Sequence, residues 1–220
     1  VRDRATEDAA NTAARDFAAY LHDVIAAKRK APGDDLISTL IAAADDGEKL
    51  SEDELITTCV LLLNAGHEAT VHTIGNSAKT LFETGHRDIS DGCVEELLRF
   101  DPPLHLFTRY VYEDVRIDGH SFQRGDQIAC MLGAANRDPA AYPDPDRFDP
   151  ARPIKQNTSF GGGIHFCLGS HLARMNAEVA FTSMASRFQG VEVDESRIQW
   201  APSLFRIPAS IPAKLHRSKP

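Results

Sequence analysis

The sequence has no long apolar run, no Cys-x-x-Cys pair and no basic stretch beyond Lys28, Arg29 and Lys30. Each lack removes a class of function. Without about 18 uninterrupted apolar residues, no helix is expected to cross a membrane. The four cysteines, Cys59, Cys93, Cys130 and Cys167, are scattered, so neither a disulfide framework nor a zinc ribbon is expected and a reducing cytoplasm fits best. A net charge of −8 without a basic patch argues against a nucleic-acid partner. No internal repeat or low-complexity tract is present, and the opening VRDRATEDAA carries no signal-peptide pattern. What remains is a globular composition, 42% hydrophobic over 220 residues, enough to bury a core in one large or two small domains. Small, neutral partners are favoured.

Apolar residues at helical spacing (Phe17, Leu21, Val24, Ile25) predict a helix over 11–30, ended by Pro32 and Gly33. Asp34 or Asp35 caps a short helix, LISTLIAAA, closed by a polar turn at Asp45, Asp46 and Gly47. Ser51 and Glu54 form a capping box that opens a helix from about 52 to 84, roughly 50 Å at 1.5 Å per residue. Its apolar first half meets a polar band, Asn64, Gly66, His67, Glu68 and Thr70. Unpaired polar groups inside a buried helix cost about 1–3 kcal/mol each, so the band implies function or a kink.

Ser90 caps a helix of about 91–100, stopped by Pro102 and Pro103, in which Glu96 and Arg99 share a face. By itself that spacing describes a solvated surface pair. Leu104–Tyr112 and Val115–Phe122 read as strands with Asp118 and Gly119 as a hairpin turn, and a third strand lies near 127–132. Proline then forbids regular structure through a meander of about 136–159. A helix over 168–188 leads into short C-terminal strands and turns.

Between the meander and that helix stands FGGGIHFCLG, residues 160–169. Its three glycines let the backbone take positive φ and approach a flat ligand closely. Cys167 lies just ahead of a helix N-terminus, a position that favours thiolate, and a thiolate backed by amide donors is what an axial iron ligand needs. A zinc site from His165, Cys167 and His171 is the competing metal reading, poorly suited to a glycine triplet and a lone thiolate.

The stretch resembles the haem-binding loop of the cytochrome P450 family. AGHEA at 65–69 resembles the family's oxygen-binding helix, Glu96 to Arg99 its Glu-x-x-Arg helix, and NRDP with DPDRF its meander, all in family order along essentially the whole chain. The resemblance implies a mainly α fold with small β-sheets (α+β), with residues 1–220 the C-terminal portion of one P450 domain of soluble bacterial type. It implies haem b (iron protoporphyrin IX), with Cys167 the iron ligand, Phe160 shielding the sulfur, Gly163 and Gly169 shaping the loop, and His165 and Arg109 holding the propionates. Ala65 and Gly66 would let the long helix pass close over the ring, and Glu68 and Thr70 would serve proton delivery. Glu96 and Arg99, joined to the meander through Arg147, would be structural. Leu61, Asn64, His105, Leu204 and Phe205 are the substrate-facing candidates.

The implied activity is a haem-thiolate monooxygenase that uses dioxygen to oxidise a small organic substrate, with electrons from a ferredoxin or flavin reductase-type partner received near His171 and Arg174. One departure stands out: position 69 is Ala where the family carries Thr, and Thr70 points about 100° away around the helix. Ordered water or a substrate hydroxyl is the expected proton route in its place. Two other readings stay open, a catalytically silent relative acting as scaffold or activator, and a haem enzyme with peroxide-driven or coupling chemistry. The N-terminal half of the family fold is expected to be absent, so these residues alone should be inactive, expose one face of the 52–84 helix, and need that half or self-association.

Overall fold

The computed structural model describes residues 3–45, 50–203 and 205–217. The chain divides into two compact units, Val1–His67 and Glu68–Pro220.

The first unit is helical. Helix α1 (Arg4–Lys30) begins at Arg4 rather than Asn11, because Asp3 Oδ1 accepts the Thr6 N–H at 2.7 Å and caps it there. The added turns are exposed and carry no apolar stripe, so periodicity could not reveal them. Helix α2 (Leu36–Asp45) is capped by Asp35, whose Oδ1 accepts the Ser38 N–H at 3.0 Å. The turn expected at Asp46 and Gly47 lies outside the described residues. Helix α3 (Glu52–Thr84) opens on the capping box: Ser51 Oγ accepts the Glu54 N–H at 3.3 Å while Glu54 Oε2 accepts the Ser51 N–H at 2.8 Å. Leu21, Ile25, Ile41, Leu55 and Cys59 form the core where these helices meet.

Helix α3 is one helix from Glu52 to Thr84, and its polar band, expected to be buried, is not. Asn64, Gly66, His67 and Glu68 are exposed and Thr70 is half-buried. The buried polar residues of α3 come later, at Asn76, Ser77 and Thr80. Asn76 Nδ2 donates to the Arg206 carbonyl at 3.1 Å and so ties the helix to the C-terminal turns.

Helix α4 (Asp91–Phe100) starts where Ser90 Oγ accepts the Cys93 N–H at 3.3 Å. Strand β1 (Phe107–Tyr110) pairs antiparallel with β4 (Gln127–Cys130) around the hairpin of β2 (Val115–Ile117) and β3 (His120–Phe122). Asp118 (φ 46°) and Gly119 (φ 82°) both take left-handed conformations, as a two-residue hairpin turn requires. The third strand ends at Cys130 instead of Leu132, because Leu132–Ala135 winds into a single turn, α5, whose Leu132 carbonyl accepts the Asn136 N–H at 3.0 Å.

Helix α6 (Ser170–Arg187) runs into β5 (Phe188–Val193), which pairs with β8 (Ala213–Arg217); β6 (Gln199–Trp200) pairs with β7 (Pro208–Ser210). The core of this unit joins α3, α4 and α6 through Leu81, Cys93, Val94, Leu97, Leu98, Ala177 and Phe181. Each fully buried large side chain there contributes about 1.5–3 kcal/mol. That core is the floor on which the cysteine loop is mounted.

Candidate functional site

The site rests on a buried ion pair. Glu96 and Arg99, 4% and 2% exposed, meet through two bonds, Arg99 Nε to Glu96 Oε2 at 2.7 Å and Nη2 to Oε1 at 2.8 Å. Burying two charges is tolerated only when their remaining hydrogen-bonding capacity is met. Here the meander meets it: Arg99 Nη1 donates to the carbonyls of Asn136 (2.8 Å) and Pro145 (2.9 Å), and Glu96 Oε1 accepts the Asp149 N–H at 2.9 Å. The solvated-pair reading of this spacing therefore fails. The second guanidinium in the network belongs to Arg152, 3.4 Å from Glu96, and not to Arg147. Arg147 offers its backbone carbonyl to Arg99 at 3.5 Å and turns its side chain outward to Asp149.

Asn136 carries the order of that network to the loop. Its Oδ1 accepts the Thr158 N–H at 2.8 Å and its Nδ2 donates to Ser159 Oγ at 2.8 Å, while Ser159 Oγ donates to the Leu98 carbonyl at 2.7 Å. The backbone entering Phe160 is thus fixed to α4. Gly161 N–H then donates to the Thr158 carbonyl at 2.8 Å, and the Cys167 N–H donates to the Phe160 carbonyl at 3.0 Å, closing the loop. Gly161 (φ 71°) and Gly163 (φ 67°) stand in the left-handed region, where a side chain would be strained.

Cys167 is half-buried and precedes Gly169, the N-cap of α6. The loop's outer face is open and apolar: Ile164 is 97% and Leu168 88% exposed, and a Cβ added at Gly162, Gly163 or Gly169 would meet nothing within 4 Å. Phe160 and Phe166 meet edge to face at 6.4 Å. His165 ends a short 3₁₀ turn (Gly163–His165) and is exposed. Arg109, on β1, is exposed with Nη1 on the Thr108 carbonyl at 3.0 Å.

The proximal cation expected at Arg174 is committed elsewhere. Its guanidinium pairs with Glu95 and lies 4.5 Å over the Phe160 ring, so it is not an open docking charge. His171 is exposed. Leu61, Asn64, Ala65 and Gly66 lie exposed on the part of α3 in the first unit, and Glu68 and Thr70 follow on the part in the second. The hydroxyl one turn beyond Ala69, that of Thr73, donates to the Ala69 carbonyl at 2.8 Å. His105 is half-buried, with its ring 3.3 Å from where a Gly133 Cβ would stand. Burial holds its pKa below the ordinary histidine value, against a smaller opposing effect of Asp101. Phe205 is half-buried and bridged to Leu104, and Leu204 lies outside the described residues. Glu95, Asn136 and Arg152 were missed as supporting residues, although the doubled Glu of EELLR and the Asn of NRDP were visible signals.

A model of the cytochrome P450 family matches residues 76–208. This chain belongs to the cytochrome P450 family. It is 42% identical over 188 residues to cytochrome P450 107B1 of Saccharopolyspora erythraea, covering 80% of this chain and 46% of that protein. It is 39% identical to 6-deoxyerythronolide B hydroxylase of the same organism, covering 88% of this chain and 50% of that one. The solved structure of the bacillaene polyketide synthase cytochrome P450 PksS of Bacillus subtilis superposes with a TM-score of 0.91 at 36% identity, covering 98% of this chain and 59% of that chain. The chain spans about half the length of the curated relatives it matches.

Cytochrome P450 proteins bind haem, and the residues of this P450 chain fit that group. The fit rests on one thiol in a loop whose glycines leave a flat ligand room, bordered by exposed Ile164 and Leu168. Zinc fits less well: among the described residues no three His, Cys, Asp or Glu are grouped to hold a metal ion, so His165, Cys167 and His171 form no such cluster. Also among the described residues, no helix is long and apolar enough to cross a membrane.

Proposed function

We propose that this chain carries the iron-ligating part of a haem-thiolate monooxygenase acting on a small organic substrate. The observation that carries the reading is the Cys167 loop, open on its apolar face and tied through Asn136 to the buried Glu96–Arg99 pair. Haem b, when bound, supplies activation of dioxygen and oxidation of the substrate. Cys167 would hold the iron as thiolate, and Phe160 would keep water from the sulfur. Gly163 and Gly169 would keep side chains away from the macrocycle. His165 and Arg109, both exposed cations or potential cations, would hold propionates by charge-assisted hydrogen bonds. Ala65 and Gly66 would give α3 a small-residue step beside a flat ligand, and Glu68 and Thr70 would hold or relay protons.

The substrate class is supported by relatives named for polyketide and acyl chemistry, among them the polyketide biosynthesis cytochrome P450 PksS and P450BioI, solved with a fatty-acyl-ligated acyl carrier protein. An apolar natural-product or acyl substrate is accordingly proposed, with Leu61, Asn64, His105 and Phe205 as candidates to face it. Electrons would come from a ferredoxin or flavin reductase-type donor. Exposed Leu61 (64%), Leu63 (54%) and Val71 (49%) support a further segment of a longer protein, or a second chain, covering α3.

The test is the optical spectrum of the full-length protein, reduced and under carbon monoxide, beside its Cys167→Ser variant. A thiolate-type band present in the parent and lost in the variant supports the reading; absence of haem from the parent favours the silent scaffold instead. Ala69 favours a second reading, peroxide-driven or coupling chemistry on the same haem, because the nearby Thr73 hydroxyl is spent on the Ala69 carbonyl. Turnover with hydrogen peroxide and no electron donor separates the two: product formed under those conditions supports the second reading, and product formed only with donor and dioxygen supports the first, while a large rise in coupling in Ala69→Thr would sink a proton route that relies on substrate or water alone.

A further inference from the structure

Arg174 joins three elements: α6, α4 and the Phe160 end of the cysteine loop. From α6 it forms a two-point ion pair with Glu95 of α4, through Nε to Oε1 and through Nη2 to Oε2 at 3.4 Å. Its guanidinium carbon sits 4.5 Å from the centroid of the Phe160 ring, and its Nη1 donates to the Ser170 carbonyl at 3.3 Å. Glu95 is held in turn by Asn157 Nδ2 at 3.2 Å, on the strand of chain that leads into Phe160. The Phe160 carbonyl accepts the Cys167 N–H. An exposed ion pair contributes little, but this one is 30% and 16% exposed, engages both carboxylate oxygens and sits over an aromatic ring. Lysine could keep the charge and could not keep the fork or the stack.

We propose that Arg174, aimed by Glu95, is a positioning residue for Cys167. It clamps the Phe160 ring and thereby holds the Phe160 carbonyl where it receives the cysteine's amide, keeping the thiol in its ligating orientation with or without haem. The inference rests on the reading of Cys167 as the iron ligand.

The test uses the full-length protein with Arg174→Ala, Arg174→Lys and Glu95→Gln. In haem-free protein, iodoacetamide labelling of Cys167 is read by peptide mass spectrometry against exposed Cys130 as internal reference. Loss of the clamp should raise the Cys167 to Cys130 labelling ratio about ten-fold in Arg174→Ala and Glu95→Gln, with Arg174→Lys between them and the parent. In haem-loaded protein the same variants should shift the reduction potential in the same order. An unchanged labelling ratio and potential, with only a lowered melting temperature, overturns the proposal and leaves Arg174 as a bolt between α4 and α6. Should Arg174→Ala fail to fold, Arg174→Lys and Glu95→Gln decide. A parent without a thiolate-type spectrum removes the functional reading, while the labelling ratio still decides the clamp.

Discussion

Arg99 donates to the carbonyl oxygen of Asn136 at 2.8 Å, across 37 residues of sequence, and this contact passes the order of helix α4 to the cysteine loop. Both ends are otherwise satisfied, Arg99 by Glu96 and Asn136 by Thr158 and Ser159. The loop therefore inherits its shape from a buried polar lattice rather than from regular structure.

Breaking that lattice at its charged end should be costly. Glu96→Gln leaves Arg99 buried with a weakened partner, and Arg99→Lys leaves several carbonyls without donors; removal of one partner of a buried pair costs about 3–5 kcal/mol. Urea unfolding of the full-length protein should show each single variant losing most of that amount. The double variant should lose much less than the sum, since the two residues act as one unit.

At the neutral end, Asn136→Ala removes the partners of the Thr158 N–H and of Ser159 Oγ, each unmet group costing about 1–3 kcal/mol. Asn136→Asp restores the acceptor for Thr158 yet sets a carboxylate oxygen against Ser159 Oγ, so it should rescue only part. Hydrogen exchange is the discriminating measurement: the Gly161 and Cys167 amides should exchange faster in both variants, while α6 stays protected.

Local features of this fold were legible in the sequence because their chemistry is local. The Ser51–Glu54 box, the Ser90 cap and the Asp118–Gly119 turn each lie within three residues of what they organise. The start of α1 was not, since a single Asp3 bond sets it without any apolar pattern. The Glu96–Arg99 pair is joined to the meander at Arg147 through a backbone carbonyl, and the side chain of Arg152, which no local pattern marks, adds the second guanidinium. The two arginines are close in sequence in a proline-rich meander, and only its path decides which side chain turns inward. The pairing of Arg174 with Glu95 was not legible for yet another reason: the two are 79 residues apart, beyond any local spacing.

His105 should make stability fall on mild acidification. Burial lowers its folded pKa below 6.5, with Arg206 and Arg137 reinforcing and Asp101 opposing. Between the folded and unfolded values the unfolded chain binds the extra proton, so stability is fully present above about pH 6.5 and is lost as pH falls through the folded pKa. His105→Gln, which keeps bulk against Gly133, should flatten the difference in urea midpoint between about pH 7.5 and about pH 5.5. An undiminished slope in that variant would reassign the effect to other groups.

Cys93 gives the opposite limb of the pH profile. The residue is fully buried, and desolvation, helped by Asp88 and Glu96, pushes its thiol pKa up to about 12 from 9.0. Cys59 is raised by burial as well. At about pH 8 a thiol reagent should therefore label exposed Cys130 quickly and leave Cys93 and Cys59 unlabelled until urea opens the fold. The linkage runs toward alkali: the folded state keeps the proton that the unfolded state gives up, so this contribution to stability is fully present below pH 9.0 and is lost as pH rises toward about 12. Cys93→Ala removes the titrating group at the cost of a small cavity. It should thus lower the urea midpoint at neutral pH while weakening its decline above pH 9.0. A decline as steep as the parent's would show that another group governs alkaline unfolding.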